Sequence, residues 1–406
     1  MNGNLLIQRM VEMFKDVIIA SAVRTPIGKF GGSLKDISTL DLGTMVAKAA
    51  VSKAGIRPEL IDEVVFGCVG QYGLNPFLAR MIGIKAGFAI KSTGQTVNRL
   101  CASGLQAMVT AAMTVDHEDA QICVAGGAEN MSNFPYSISG ARWGLRMGDQ
   151  QIKDDLVTAL SEPFSEVSTH IAITAENIAA RYNISREEAD QFALESQRRA
   201  KAAIDAGVFK EEILPVPVKI KGENILFDTD EHPRDTSMEK LGKLKTIVKK
   251  DGIVTAGNAS GINDAAAAVV IMNAKLAKKL KCNPLVKIVD YAVEGVDPNY
   301  MGMGPVASTK KLLQKCGIAL DEIGLIELNE AFASQAIACI RELGLDPSIV
   351  NVNGSGISLG HPIGATGAVI SVKLIYEMKR RNIRYGLAAL CIGGGQGMSV
   401  IFENIN

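Results

Sequence analysis

Apolar runs of strand length alternate with stretches of helical periodicity along most of the chain, the pattern expected of parallel sheets covered by helices. Asp16–Ala22 is an almost unbroken apolar run and predicts a buried strand. Leu42–Ala54 predicts the helix that follows, with Gly55 standing where a helix stop is expected. Leu105–Val115 predicts an apolar helix carrying Ala and Met, and Ala265–Met272 predicts a second buried strand made of small and β-branched residues.

The pattern repeats weakly. A helix ends at Ala54-Gly55-Ile56, and Ile61-Asp62-Glu63 feeds the strand Val64-Val65-Phe66; later a helix ends at Cys316-Gly317-Ile318, and Leu320-Asp321-Glu322-Ile323 feeds Leu325–Leu328. Thr96-Val97-Asn98 is echoed by Asn351-Val352-Asn353, and Ile122–Gly127 by Ala389–Gly394. A duplicated α/β unit explains the three echoes together, against chance likeness of Val- and Gly-rich strands. The expected organisation is an N-terminal extension at 1–14, a first half at 15–132 completed by 251–281, an insert at 133–250, and a second half at 282–406. The insert is richer in charge, and Ser185-Arg186-Glu187-Glu188 reads as a capping box opening a helix to about Ala206.

Composition narrows the function classes. Lys plus Arg and Asp plus Glu are equal at 43 each, so no global field favours nucleic acid or an anionic membrane. The longest stretch free of Asp, Glu, Lys and Arg, Pro347–Val372, is broken by Asn, Gly, His and Pro, and is not expected to span a bilayer. Seven cysteines without a C-x-x-C pair argue against a zinc knuckle or a secreted disulfide framework, and fit reduced thiols in the cytoplasm. Arg9 and Glu12 interrupt the apolar stretch in the first fourteen residues, which is too short and too charged for a signal peptide.

Cys101 precedes the predicted helix Leu105–Val115. Free amides at a helix N-terminus favour thiolate over thiol, so Cys101 is a candidate nucleophile, with a small buried hydrophobe as the plainer alternative. His361 lies in Gly360-His361-Pro362-Ile363-Gly364, a constrained turn, where it can serve as base, as oxyanion donor or simply as a bonded core histidine. Cys391 precedes Gly393-Gly394-Gly395, whose amides are free to face an oxygen, and a second cysteine at a strand end can act as acid or base. The glycine runs lack the G-x-G-x-x-G spacing with a following acid that a dinucleotide loop needs. Asn329 follows the strand Leu325–Leu328, where it can hold a water or a carbonyl, or cap the next helix.

Five separated peptides resemble the thiolase family, in order and across nearly the whole chain: VNRLCASGLQ (Val97–Gln106), GGAENMS (Gly126–Ser132), NEAFA (Asn329–Ala333), NGSGISLGHPIGATG (Asn353–Gly367) and CIGGGQG (Cys391–Gly397). Val23–Gly32 is similar to that family's opening. The resemblance implies a thiolase-like α/β fold of duplicated units stacked as five layers (αβαβα), with the insert as a loop domain shaping a CoA tunnel. It implies that Cys101 is acylated, that His361 activates it, and that Cys391 moves a proton at the α-carbon or the leaving thiol. Asn329 would position a water that forms one oxyanion hole with His361, while the amides of Cys101 and Gly393 form the other. Arg234, Ser260, Met301, His170 and Phe332 would line the path of CoA and acyl group.

The same resemblance points to acetyl-CoA C-acetyltransferase chemistry on acyl-CoA substrates. It implies no metal and no cofactor beyond the CoA that the substrate carries, and a homodimer or homotetramer without nucleic-acid or membrane partners. Gly140–Leu160 is closer to short-chain biosynthetic members. Ile171 where Met is expected, Ser355-Gly356 for Gly-Ala, and Ala265 for Gly are departures that bear on chain-length preference. A degradative 3-ketoacyl-CoA thiolase and a non-catalytic subunit of an acyl-CoA-metabolising complex are the alternatives.

Overall fold

The computed structural model describes residues 14, 16–162, 164 and 169–405. The first half runs β1 (Val17–Arg24), α1 (Thr39–Lys53), β2 (Glu63–Gly67), α2 (Leu78–Ala86), β3 (Thr93–Val97), α3 (Ser103–Asp116) and β4 (Ile122–Asn130). The insert contributes α4 (Ala172–Tyr182) and α5 (Arg186–Asp205), after which β5 (Asn263–Asn273) returns to the first half. The second half runs β6 (Val286–Gly295), α6 (Gly304–Cys316), β7 (Ile323–Leu328), α7 (Ala333–Leu343), α8 (Thr366–Arg381), β8 (Tyr385–Ile392) and β9 (Gln396–Asn404).

The two halves repeat one strand order. In the first it is β3-β2-β4-β5-β1, with β2 parallel to β3 and β4, and β5 antiparallel to β4 and β1. In the second it is β7-β8-β9-β6, with β7 parallel to β8 and the remaining pairs antiparallel. The counterpart of β3 is a single parallel bridge from Ile326 to Val350. A short pairing of β1 with β6, Ile18 opposite Lys287 and Ile19 opposite Val286, makes the two sheets continuous.

Three apolar cores separate the five layers. One lies under α1 and α2 and includes Leu42, Val46 and Ile82; one lies under α6 and α7 and includes Leu312 and Ile337. The third fills the space between the sheets, where α3 and α8 pack together with Leu105, Met108, Val372 and Leu374 buried. The two central helices touch through glycines: a Cβ on Gly104 would stand 2.8 Å from the Ala368 amide, and one on Gly367 would strike the Leu105 amide. Their N-termini therefore lie side by side, and with them the segments that carry Cys101 and His361.

The expected strands and helices are present within a few residues, and Ser185 caps α5 by accepting from the Glu188 amide at 3.1 Å. Two expectations change. The echo of Ile122–Gly127 in Ala389–Gly394 is out of register, because Gly126 and Gly127 lie inside β4 whereas Gly393 and Gly394 lie in the turn beyond β8. The glycines serve different needs: a Cβ on Gly126 would strike the Ala267 carbonyl and one on Gly127 the Gly364 carbonyl, whereas Gly394 and Gly395 have φ of +79° and +82°. Phe14, assigned to the N-terminal extension, is buried and stacks on Tyr291; the rest of that extension lies outside the described residues.

Arg24, fully buried at the end of β1, ties the insert to the core. Its Nε bonds Glu212 at 2.7 Å, and Nη1 and Nη2 bond Asp230 at 2.7 and 2.9 Å. No helix among the described residues is long and apolar enough to cross a membrane.

Candidate active site

The turn before α3 holds Cys101 in a constrained backbone. Leu100 has φ +45°, a left-handed value uncommon for a leucine, and its amide donates to Asn98 Oδ1 at 3.0 Å. Ser103 Oγ closes the turn, accepting from the Arg99 amide at 2.9 Å and donating to the Leu100 carbonyl at 2.6 Å. Cys101 itself is half-buried at the wall of a cavity of about 660 Å³.

His361 enters the same cavity from the turn before α8. Its amide donates to Asn263 Oδ1 at 2.9 Å, and its Nδ1 lies 2.6 Å from Thr366 Oγ1. Thr366 donates its own hydrogen to the Pro362 carbonyl at 2.9 Å, so Nδ1 must donate to the threonine and the proton-free nitrogen is Nε2. Nε2 faces Asn329 Nδ2 at 3.5 Å. Asn329 is fully buried at the end of β7, and its Oδ1 has no hydrogen-bond partner among the described residues.

Cys391 is buried at the end of β8 and Gly393 lies in the turn after it; both line the cavity. The amides of Gly393 and Cys101 are directed at the Cys101 sulfur, the place from which two donors can reach a carbonyl oxygen bonded to that residue. A side chain at 393 would crowd Leu100 at 3.1 Å and Ile171 at 3.4 Å.

Burial decides the protonation states here. It pushes the Cys101 thiol up to about 11, against the two amides that favour the thiolate, and holds the Cys391 thiol well above its ordinary value. It lowers His361 to about 4. Desolvation thus works against the thiolate expected from the helix N-terminus, and favours a neutral thiol and a neutral imidazole at rest.

The five expected CoA- and acyl-path residues all line this cavity: Arg234, Ser260, Met301, His170 and Phe332. Arg234 is exposed, whereas Met301 and Phe332 are buried. Ser260 is placed by pairing with the NEAFA peptide, since its amide donates to the Ala331 carbonyl at 2.9 Å and Ala259 bridges Phe332. The His170 ring accepts from the Ala172 amide at 3.2 Å, leaving Leu160, Ile171, Ile262 and Ile363 as apolar lining. Asn329 alone among the expected residues does not line the cavity; it reaches the site by its contact with His361.

Sequence reasoning passed over Thr366, Asn263, Glu129 and His232. Thr366 and Asn263 hold His361, while His232 lines the cavity 3.4 Å from Arg234. A hydroxyl five residues beyond His361, at the start of α8, was the available signal for Thr366.

Comparison with known proteins settles the family. The thiolase N-terminal domain matches residues 17–275, and the thiolase C-terminal domain matches residues 282–404. The chain belongs to the thiolase family. It is thereby an enzyme of an acyl-transferring family. It is 50% identical over 396 residues to the beta-ketothiolase BktB of Cupriavidus necator, covering 97% of this chain and all of that one. It is 49% identical to an acetyl-CoA acetyltransferase of Syntrophomonas wolfei, covering 96% of this chain and all of that one. The structure of human mitochondrial 3-ketoacyl-CoA thiolase superposes with a TM-score of 0.93 at 42% identity, covering 96% of this chain and 99% of that one. The thiolase fold is thus present over essentially its full length.

Proposed function

We propose that this thiolase is an acetyl-CoA C-acetyltransferase, condensing two acetyl-CoA to acetoacetyl-CoA and CoA and catalysing the reverse thiolysis. The observation that carries the reading is the meeting of Cys101, His361, Cys391 and Gly393 at one cavity that Lys29, Glu231 and the exposed Arg234 also line. A thioester laid along Arg234, Ser260 and Phe332 brings its carbonyl to Cys101.

The protonation states order the steps. Cys101 attacks the acetyl carbonyl as its proton passes to His361 Nε2, coupling deprotonation to bond formation, because a free thiolate is costly in this buried site. The carbonyl oxygen gains charge facing the amides of Cys101 and Gly393. The C–S bond to CoA breaks, and the departing CoA sulfur takes the Cys391 proton. Acetyl-Cys101 and a Cys391 thiolate remain. That thiolate removes an α-proton from the second acetyl-CoA, whose enolate oxygen is met by His361 and a water held by Asn329. The carbanion attacks acetyl-Cys101, and the released Cys101 sulfur recovers its proton from His361. Both cysteines end as thiols, ready for the next cycle.

The likeness to a 3-ketoacyl-CoA thiolase supports a second reading, in which longer 3-ketoacyl-CoA chains occupy the apolar lining around Leu160 and Ile171. Turnover of acetoacetyl-CoA against a 3-ketoacyl-CoA of about eight carbons separates the two. Seven free thiols support a cytoplasmic location. The exposed edge strand β3, with Leu74, Phe77 and Ile90 exposed nearby, and exposed Trp143 and Met147 in the insert, support a homodimer or homotetramer.

A further inference from the structure

Glu129 is a buried carboxylate to which the reaction above gives no step, and it is held by main-chain amides rather than by a cation. Its Oε2 accepts from the Val69 amide at 2.9 Å and the Gly364 amide at 2.8 Å, and its Oε1 accepts from the Gly70 amide at 3.0 Å, with the Cys68 thiol at 3.7 Å. Val69 and Gly70 belong to the loop after β2, in the first half. Gly364 belongs to the His361 turn, in the second. One carboxylate therefore joins the two halves beside the reacting groups.

The backbone around this contact is shaped to receive it. A Cβ on Gly364 would strike Glu129 Oε2, and one on Gly127, two residues before Glu129 on the same strand, would strike the Gly364 carbonyl. Gly364 thus lies flat on β4, with its carbonyl over Gly127 and its amide, part of the Ile363–Gly364 peptide, on Glu129. Leaving those amides without an acceptor in a dry interface is costly, so the peptide has one favoured position. His361, three residues earlier, takes its placement from that position.

We propose that Glu129 is a positioning residue that sets His361 against Cys101 by anchoring the Gly364 amide of the second half to β4 of the first. The inference rests on the acyl-transfer reading of Cys101 and His361. A glutamine at 129 retains the size but turns an amide NH2 towards donors, so the anchor loosens while the substrate path is untouched.

The test measures acetylation of Cys101 by acetyl-CoA in the full chain, by rapid quenching and peptide mass. Glu129→Gln should reach the same final extent as the unsubstituted protein but about 10–100-fold more slowly, the cost of misplacing a catalytic group by roughly an ångström. The KM for acetoacetyl-CoA should stay within about twofold, since no substrate contact is lost. Gly364→Ala, whose methyl group meets Glu129 Oε2 and also the Cys68–Val69 backbone, should act in the same direction, and the double variant should lose less than the two single losses combined, because both disturb the Glu129 contact. An unchanged rate in Glu129→Gln, additive losses in the double variant, or a slower rate matched by an equally reduced final extent would each overturn the proposal. If Glu129→Gln does not fold, Gly364→Ala decides alone: a normal rate there overturns it. Absence of acetylation in the unsubstituted protein would instead overturn the underlying acyl-transfer reading.

Discussion

Thr366 Oγ1 lies 2.6 Å from His361 Nδ1 and spends its own hydrogen on the Pro362 carbonyl, which leaves the imidazole one tautomer. The nitrogen able to accept a proton is then Nε2, which faces Asn329. Thr366→Val removes the acceptor at nearly constant volume and frees the ring. Acetylation of Cys101 should slow by about 10²-fold with little change in KM. Stopped acetylation assays on the variant check this; an unaltered rate would mean that the hydroxyl does not orient the ring.

A resting neutral thiol is a spectroscopic prediction. Burial holds Cys101 up at about 11 and His361 down at about 4, so neither group is charged at pH 7. The ultraviolet absorbance of thiolate, taken as the difference between the protein and Cys101→Ser, should be absent at pH 7 and rise as the pH approaches about 11. A preformed thiolate–imidazolium pair would show the absorbance already at neutral pH.

Cys391→Ser separates the two halves of the reaction. A hydroxyl is far too weak a base to remove the α-proton of a thioester, while the CoA thiolate is a good enough leaving group to depart from the acyl group without the Cys391 proton and take one from water. The variant should still form acetyl-Cys101 and lose acetoacetyl-CoA synthesis by about three orders of magnitude or more. Normal condensation would remove Cys391 from the proton-transfer step.

At the exposed end of the cavity, Arg234→Ala should raise the KM for acetyl-CoA roughly tenfold, the loss of about 1.4 kcal/mol of a charge-assisted contact, and leave kcat nearly unchanged. Steady-state kinetics at fixed ionic strength test this; a fall in kcat without a change in KM would place Arg234 elsewhere in the mechanism.

Arg24 gives a prediction about stability. Arg24→Met leaves the buried carboxyls of Glu212 and Asp230 without their partner, and removal of one member of such a group costs about 3–5 kcal/mol. Urea unfolding should show that loss. A midpoint unchanged within error would mean that the insert is not held through this residue.

Much of this was legible in the sequence because it is local. The strand runs, the Ser185 cap, the turn before α3 and the Gly360–Gly364 turn are set by a few neighbouring residues, and four motif peptides carried Cys101, Asn329, His361 and Cys391. What escaped is non-local. Glu129 gains its meaning from Gly364, which is 235 positions away in the chain. The raised Cys101 thiol likewise reflects burial between two halves, which no neighbour of Cys101 in the sequence announces. The misregistered glycine echo has the same origin: Gly127 is small because Gly364 lies against it, and Gly394 because its φ is positive.

Mass analysis of peptides after brief incubation with acetyl-CoA is the most direct test of covalent catalysis at Cys101. An added acetyl group on the peptide containing Cys101, lost in Cys101→Ser and retained in Cys391→Ser, is the predicted result. Acetyl found only on Cys391, or on no cysteine at all while acetoacetyl-CoA is still formed, would contradict it.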